Sequence, residues 1–230
     1  MRDITVTKEE MKRIERYAID YYGISEIALM ENAASKVVKN IKNVEIEKSN
    51  RYAIICGVGN NGADGLVVAR HLLALDKMVD IYIIGDENKG SPLFKMNLEI
   101  IKKIKDEIKS LDVIGELQDL RTNLNKATTI IDAITGTGFE GSFDGNIDYV
   151  IETINDSNRY IISIDMPSGM DANSGNVSTV CVMPDLIVTF MHMKQGLTRT
   201  SRLIGTKVMV ESIGIPIEAS CKVVPFRPNF

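Results

Sequence analysis

Apolar positions near the start of the chain recur at helical spacing. Met11, Ile14, Ala18 and Tyr22 lie three or four residues apart, and Thr7 with Glu10 has the form of a capping box, so residues 7–22 are predicted as a helix. Gly23 interrupts that pattern, and Ser25 is placed to cap a second helix marked by Leu29, Ala33, Val37 and Ile41. A polar stretch over 45–51 then gives way to an unbroken apolar run at 52–56, which suits a buried strand. A Gly/Asn-rich loop follows, and after it a helix over 65–75.

The alternation continues downstream. Residues 79–84 are β-branched and apolar, 86–90 read as a turn, and 91–109 as a helix burying Leu93, Met96, Ile100, Ile101 and Ile104. A strand is predicted at 128–134, and a helix carries Ile147, Val150, Ile151 and Ile154. Further strands fall at 160–164 and 186–190, and an edge strand at 207–211. Strands alternating with helices predict the α/β class, with a mostly parallel sheet covered on both faces. Residues 1–230 contain no repeat, low-complexity tract or long linker, so a single domain is expected.

Composition narrows the function classes. With 230 residues, 44% of them hydrophobic and 25% charged, the chain reads as an ordinary globular protein. A net charge of −4 argues against a nucleic-acid partner. No apolar run has the length of a membrane span, and the N-terminus lacks the apolar core of a signal peptide. Three well-separated cysteines, Cys56, Cys181 and Cys221, exclude a disulfide framework and fit a reducing, cytoplasmic setting. Two histidines, His71 and His192, are too few for a multi-His metal centre. His71, inside a helix, reads as a surface or interface residue, and Cys56 as a small apolar packing group. Lys102, Lys103, Lys105 and Lys109 read as a solvated helix face.

The chemistry is expected at the carboxyl ends of the strands, where open α/β sheets bind ligands. Three loops there are unusual. In the first, Gly57, Gly59 and Gly62 satisfy G-x-G-x-x-G, and Asp86 follows the next strand where a ribose-binding acid belongs. Asn60, Asn61 and Asp64 crowd the same loop with hard oxygens, and Asp64 opposes a pyrophosphate there; a plain turn with Asp64 capping the helix is the alternative. In the second loop, Gly136, Gly138 and Gly141 can present backbone N–H groups to phosphate, or form only a surface loop. Asp132, closing an apolar strand, needs a partner or a cation. In the third, Asp165 and Ser168 flank Pro167 and face the cleft, unless they only satisfy their own turn. Asn61, Asp132 and Ser168 together offer amide, carboxylate and hydroxyl oxygens, a donor set for a hard cation rather than zinc. His192 and Lys194, after the 186–190 strand, can reach the same cleft.

In combination these segments resemble one family. LMENAA (29–34), GNNGADG (59–65), DAITGTGFEG (132–141), DMPSGMDANSG (165–175) and TFMHMKQGL (189–197), in that order, are similar to the YjeF N-terminal-domain family of NAD(P)H-hydrate epimerases. The resemblance runs from about Glu10 to Ile215 and implies a Rossmann-like three-layer αβα domain that epimerises hydrated NADH or NADPH (NADHX, NADPHX) at C6 of the nicotinamide ring. It implies a potassium ion on Asn61, Asp132 and Ser168. It implies substrate on Asn60, Asn61, Gly62, Ala63 and Asp64, on Gly136, Thr137, Gly138, Phe139, Glu140, Gly141 and Ser142, and on Asp165. Ala63 stands where the family usually has a second glycine, and Met191-His192-Met193 replaces smaller residues. Many relatives carry a fused dehydratase; its absence is expected here, with a separate NAD(P)H-hydrate dehydratase as functional partner.

Epimerisation needs a proton moved to and from the C6 hydroxyl, so Asp165 is expected to act as the acid–base group and Lys194 to stabilise charge. Two other readings compete: a non-catalytic nucleotide-binding or scaffold module, and an NAD(P)-dependent oxidoreductase resting on Gly57, Gly59, Gly62 and Asp86. The oxidoreductase lacks a Tyr-Lys or His catalytic pair. A homodimer through the apolar stripes between Met11 and Ile41 is one expectation, and core packing explains those stripes equally well.

Overall fold

A computed structural model describes residues 4–43, 50–112, 114–143 and 145–224. The chain opens with a short strand β1 (Thr5–Val6) and two helices, α1 (Lys8–Tyr22) and α2 (Glu26–Asn43). Thr7 and Glu10 close both halves of the capping box on α1, Gly23 ends it in the left-handed conformation, and Ser25 Oγ accepts the Ala28 N–H at the start of α2. The strand–helix alternation then runs β2 (Arg51–Gly57), α3 (Asn60–Leu73), β3 (Met78–Ile84), α4 (Pro92–Lys102), β4 (Lys109–Ser110), α5 (Ile114–Leu124), β5 (Thr129–Ala133), α6 (Gly145–Asn155) and β6 (Tyr160–Ile164). After a long loop come β7 (Leu186–Phe190), β8 (Met193–Lys194), α7 (Gln195–Arg199), β9 (Lys207–Glu211) and α8 (Ile217–Val223).

Seven of the strands form one sheet, in the order β4-β3-β2-β5-β6-β7-β9, with every neighbouring pair parallel. The central strands are buried on both sides, and their alternate side chains feed two cores. Tyr52, Ile54 and Cys56 of β2 join α1–α4 on one face, while Ala53 and Ile55 join α5 and α6 on the other. This is the three-layer αβα arrangement. The chain reverses its direction of winding between β2 and β5, which opens a crevice beyond their carboxyl ends. A smaller apolar cluster, including Met166, Met170, Cys181 and Ile187, anchors the loop between β6 and β7.

The structure departs from the sequence pattern in several places. Helix α3 starts at Asn60 rather than Gly65, so the supposed glycine loop is mostly first helical turn. Its N-cap is Gly59, not Asp64. Helix α4 ends at Lys102, and Lys109 lies in β4, paired with Glu107 and Glu116; the four lysines do not share a helix face. The buried side of α4 is Phe94, Asn97, Leu98 and Ile101, while Ile100 and Ile104 are exposed. Most of the 45–51 stretch lies outside the described residues. Met11, Ile14, Ala18, Leu29, Ala33, Val37 and Ile41 are buried in the chain's own core, so those stripes are not free to face a second copy. Among the described residues no helix is long and apolar enough to cross a membrane.

Candidate active site

The crevice is built from glycine-permitted close contacts. A Cβ on Gly62 would sit 1.7 Å from the carbonyl oxygen of Gly57, so only glycine lets α3 start this close to the end of β2. Gly59 offers α3 no side-chain cap, which leaves the amides of its first turn to face a ligand. Ala63 donates to the Gly59 carbonyl as an ordinary helical residue, and a positive φ is not required where the family usually has glycine.

Asp132 lies on the floor of this crevice, fully buried at the end of β5. Its Oδ2 accepts the Ser163 hydroxyl at 2.7 Å and the Ser168 N–H at 2.9 Å, and its Oδ1 accepts the Ser168 hydroxyl. Burial raises its pKa, and the hydrogen bonds from Ser168 and Ser163 work against that shift. Ser168 Oγ in turn accepts the Thr135 N–H at 2.9 Å. The Asn61 amide packs on Gly136, where an added Cβ would lie 3.2 Å from its Cγ. Both polar atoms of that amide, and the hydroxyl of Thr135, are buried without a hydrogen-bond partner. Leaving such groups unpaired costs about 1–3 kcal/mol each. A buried carboxylate, with orphaned amide and hydroxyl oxygens on the segments around it, fits the donor chemistry of a hard cation.

A second cluster surrounds Asp165, which occupies the left-handed region at φ 67° just beyond β6 and donates its N–H to the Val188 carbonyl. Lys194 is 1% exposed, and its ammonium lies 2.6 Å from Asp165 Oδ1. Its other two contacts are Thr189 Oγ1 at 2.8 Å and the Phe190 carbonyl at 2.9 Å, which engages every proton the ammonium has. Thr189 also donates to Asp165 Oδ1 at 3.1 Å. Strand β8 is held by parallel pairing with β1, Val6 opposite Lys194, so the N-terminal segment fixes the lysine. Two further carboxyls have raised pKa values: burial lifts Asp64 of α3 well above its ordinary value and Glu15 of α1 to about 7, with Asp165 adding to each.

The loop of Gly136, Thr137, Gly138, Phe139, Glu140, Gly141 and Ser142 forms one wall. Phe139 is buried against Phe143, ring centroids 4.5 Å apart, while a Cβ on Gly138 or Gly141 would meet nothing within 4 Å. Glu140 is tied to Lys8 at the start of α1, and Lys8 also lies 3.9 Å from Asp171.

Of the sequence-selected residues, hydrogen bonds join Asp132 with Ser168 and Asp165 with Lys194, while Asn61 packs on Gly136 and Asp64 stands in the first turns of α3. His192 does not join them. It is buried with Nε2 2.6 Å from Ser220 Oγ on α8. His71 pairs with Glu31, also outside the site. Asp86 caps the short turn after β3 by accepting the Asn88 N–H, so its carboxylate already has a structural use. Sequence reasoning missed Thr135 and Thr189, although both hydroxyls lie within motifs that it noted, DAITGTGFEG and TFMHMKQGL.

The chain is similar to known proteins over most of its length. Residues 26–196 match the family described as YjeF-related protein N-terminus. An NAD(P)H-hydrate epimerase of Anaerococcus prevotii is 44% identical over 216 residues, covering 94% of this chain and 97% of the relative. A bifunctional NAD(P)H-hydrate repair enzyme Nnr of Methanothermobacter thermautotrophicus is 35% identical over 222 residues, and this chain spans only 42% of that protein. Among solved structures, yeast ynu0 superposes with a TM-score of 0.82 at 22% identity, covering 99% of this chain and 96% of that one, which shows the shared fold. The chain belongs to the family of YjeF-related protein N-termini.

Proposed function

We propose that this protein is an isomerase, an NAD(P)H-hydrate epimerase that interconverts the R and S forms of NADHX and NADPHX at C6 of the nicotinamide ring. The observation that carries the reading is the Asp165–Lys194 pair at the sheet's switch crevice, in a chain similar over 94% of its length to a relative bearing that name. In the hydrate, C6 carries a hydroxyl next to the ring nitrogen. The nitrogen lone pair expels that hydroxyl or opens the ring, and re-addition on the other face gives the epimer.

One proton must go to the oxygen as it leaves and come off it as it returns, with no redox change. Asp165 is the acid–base group. Lys194, its protons engaged by Asp165, Thr189 and Phe190, holds that carboxylate in place rather than reaching the substrate. The first turn of α3, from Asn60 to Asp64, and the Gly136–Ser142 loop hold the dinucleotide, with backbone N–H groups supplying the favourable charge for its phosphates. Potassium, held by Asn61, Asp132 and Ser168, would supply positive charge that fixes the two loops. The orphaned Asn61 amide supports this assignment. A separate dehydratase acting on the hydrate is the expected functional partner, and the bifunctional name of the longer relative agrees with such a pairing. Free Cys56, Cys181 and Cys221 support a reducing, cytoplasmic setting.

The test follows one pure epimer of each hydrate by chromatography, with protein in potassium buffer and then in sodium buffer. Conversion faster than the spontaneous rate, and faster in potassium, is expected. Equal rates in the two buffers would remove the cation from the account, and no acceleration would remove the epimerase.

A further inference from the structure

The segment leading into α1 touches three parts of the crevice at once. Val6 pairs with Lys194 across β1 and β8. Two residues on, the Lys8 backbone N–H donates to Asn173 Oδ1 at 2.8 Å, and Asn173 Nδ2 donates to Glu9 Oε2 at 2.9 Å. The Lys8 ammonium is ion-paired with Glu140 of the 136–142 wall and lies 3.9 Å from Asp171 Oδ2. One lysine thus bridges the wall and the loop that follows Asp165.

The two ends of the bridge differ in firmness. Asp171 Oδ1 accepts the Ser174 N–H and hydroxyl, both at 2.7 Å, and the Asn173 N–H at 3.1 Å. Arg199 donates to the Asn173 carbonyl at 2.8 Å, and the Gly196 N–H donates to the Ala172 carbonyl at 2.7 Å, so the 171–174 turn is tied to α7. In the wall, Phe139 is buried, but Gly138, Glu140, Gly141 and Ser142 are exposed. The Lys8 side chain is 18% exposed and that of Glu140 73%, so the lysine is the fixed post and the glutamate the looser partner.

We propose that Lys8 is a positioning residue for substrate binding: it clasps the 136–142 wall to the 171–174 turn and holds the wall where it receives the dinucleotide. A wall that swings free weakens apparent affinity by the fraction of time it is out of place. The acid–base pair does not depend on the clasp, because Asp165 is held by Lys194 and Thr189. Loss of Lys8 therefore acts on KM and leaves kcat in place.

This inference rests on the epimerase reading, and its first test needs no catalysis. Amide hydrogen exchange of residues 136–142 is compared in wild type, Lys8→Met and Lys8→Arg. Expected is exchange about threefold to fivefold faster in Lys8→Met, close to wild type in Lys8→Arg, and unchanged in β6 and β7 of both. Unchanged exchange in the wall of Lys8→Met overturns the clasp, whatever the activity. The kinetic test expects KM to rise by a similar factor in Lys8→Met with kcat within about twofold of wild type. The double variant Lys8→Met/Glu140→Gln should be no worse than the weaker single one, because each substitution breaks the same tie. Effects on KM that multiply would show the two side chains acting separately and overturn the clasp; an inert wild type overturns the epimerase reading instead.

Discussion

Lys194 and Asp165 form an ion pair of 2.6 Å in which the lysine is almost wholly removed from water and the aspartate remains partly accessible from the crevice. The asymmetry separates their roles, because only the aspartate can meet a substrate. It also makes the pair costly to break. Lys194→Met should lower kcat and destabilise the fold by about 3 kcal/mol, because the buried hydrogen-bonding partners lose their donor. Asp165→Asn should cost about 10²–10⁴ in kcat while hydrate binding persists. Rate measurements beside calorimetric binding separate these outcomes, and near-full kcat in Asp165→Asn contradicts the assignment.

Ser168 donates twice to the buried carboxylate of Asp132, through its N–H and its hydroxyl. Ser168→Ala keeps the first bond and removes the second, so it should cost about 1–3 kcal/mol of stability. If Ser168 also ligates potassium, the variant should need more potassium to reach a given melting temperature. Melting curves across a potassium series decide the point; a parallel downward shift with unchanged potassium dependence removes Ser168 from the ligand set.

Two glycines in the candidate substrate loops should behave oppositely. Gly62→Ala places a Cβ against the Gly57 carbonyl oxygen and should destabilise by roughly 1–3 kcal/mol or more, with loss of activity. Gly138→Ala meets nothing within 4 Å and should change stability by less than about 0.5 kcal/mol. Denaturant midpoints of the two variants provide the comparison.

The pH dependence of stability should carry two opposite signatures. Burial, with Lys194 nearby, lowers the pKa of His192, so below its ordinary value of 6.5 the unfolded chain takes up a proton that the folded one refuses. The contribution of His192 is therefore present above pH 6.5 and is lost as the pH falls, and His192→Gln should flatten that acid limb. Glu15 behaves in reverse. Its folded pKa of about 7 exceeds the ordinary 4.5, so ionising it costs stability as the pH rises between those values. Glu15→Gln should consequently melt higher than wild type above pH 7. Melting temperatures across this range, read as differences from wild type, test both signs.

The sequence was most legible where burial is uniform. Strands β6 and β7 fall at 160–164 and 186–190 as the apolar runs predict, because both faces of a central parallel strand must be apolar, and β9 falls at 207–211 as the expected edge strand. The start of α3 was not legible: Asn60, Asn61 and Gly62 are weak helix formers, and the packing of Gly62 on Gly57 overrides that preference. Helix α4 was overextended because the Lys/Ile alternation after Lys102 still resembles an amphipathic face. Helix α5, with only Leu120 and Leu124 buried, left too thin an apolar stripe to be noticed. In the site, the oxygen-rich residues of three strand-end loops were visible as a group. The tie of Lys194 to the N-terminal segment was not, since it depends on β1 pairing with β8, a contact across nearly the whole chain.

The central claim is that the crevice around Asp165 moves a proton to and from a hydroxyl on a hydrated nicotinamide. The most direct measurement is the initial rate at which purified protein converts one isolated NADHX epimer into the other, compared with the same solution without protein. Acceleration in the wild type that Asp165→Asn abolishes without loss of hydrate binding is the expected result. A wild-type rate equal to the spontaneous one would contradict the account.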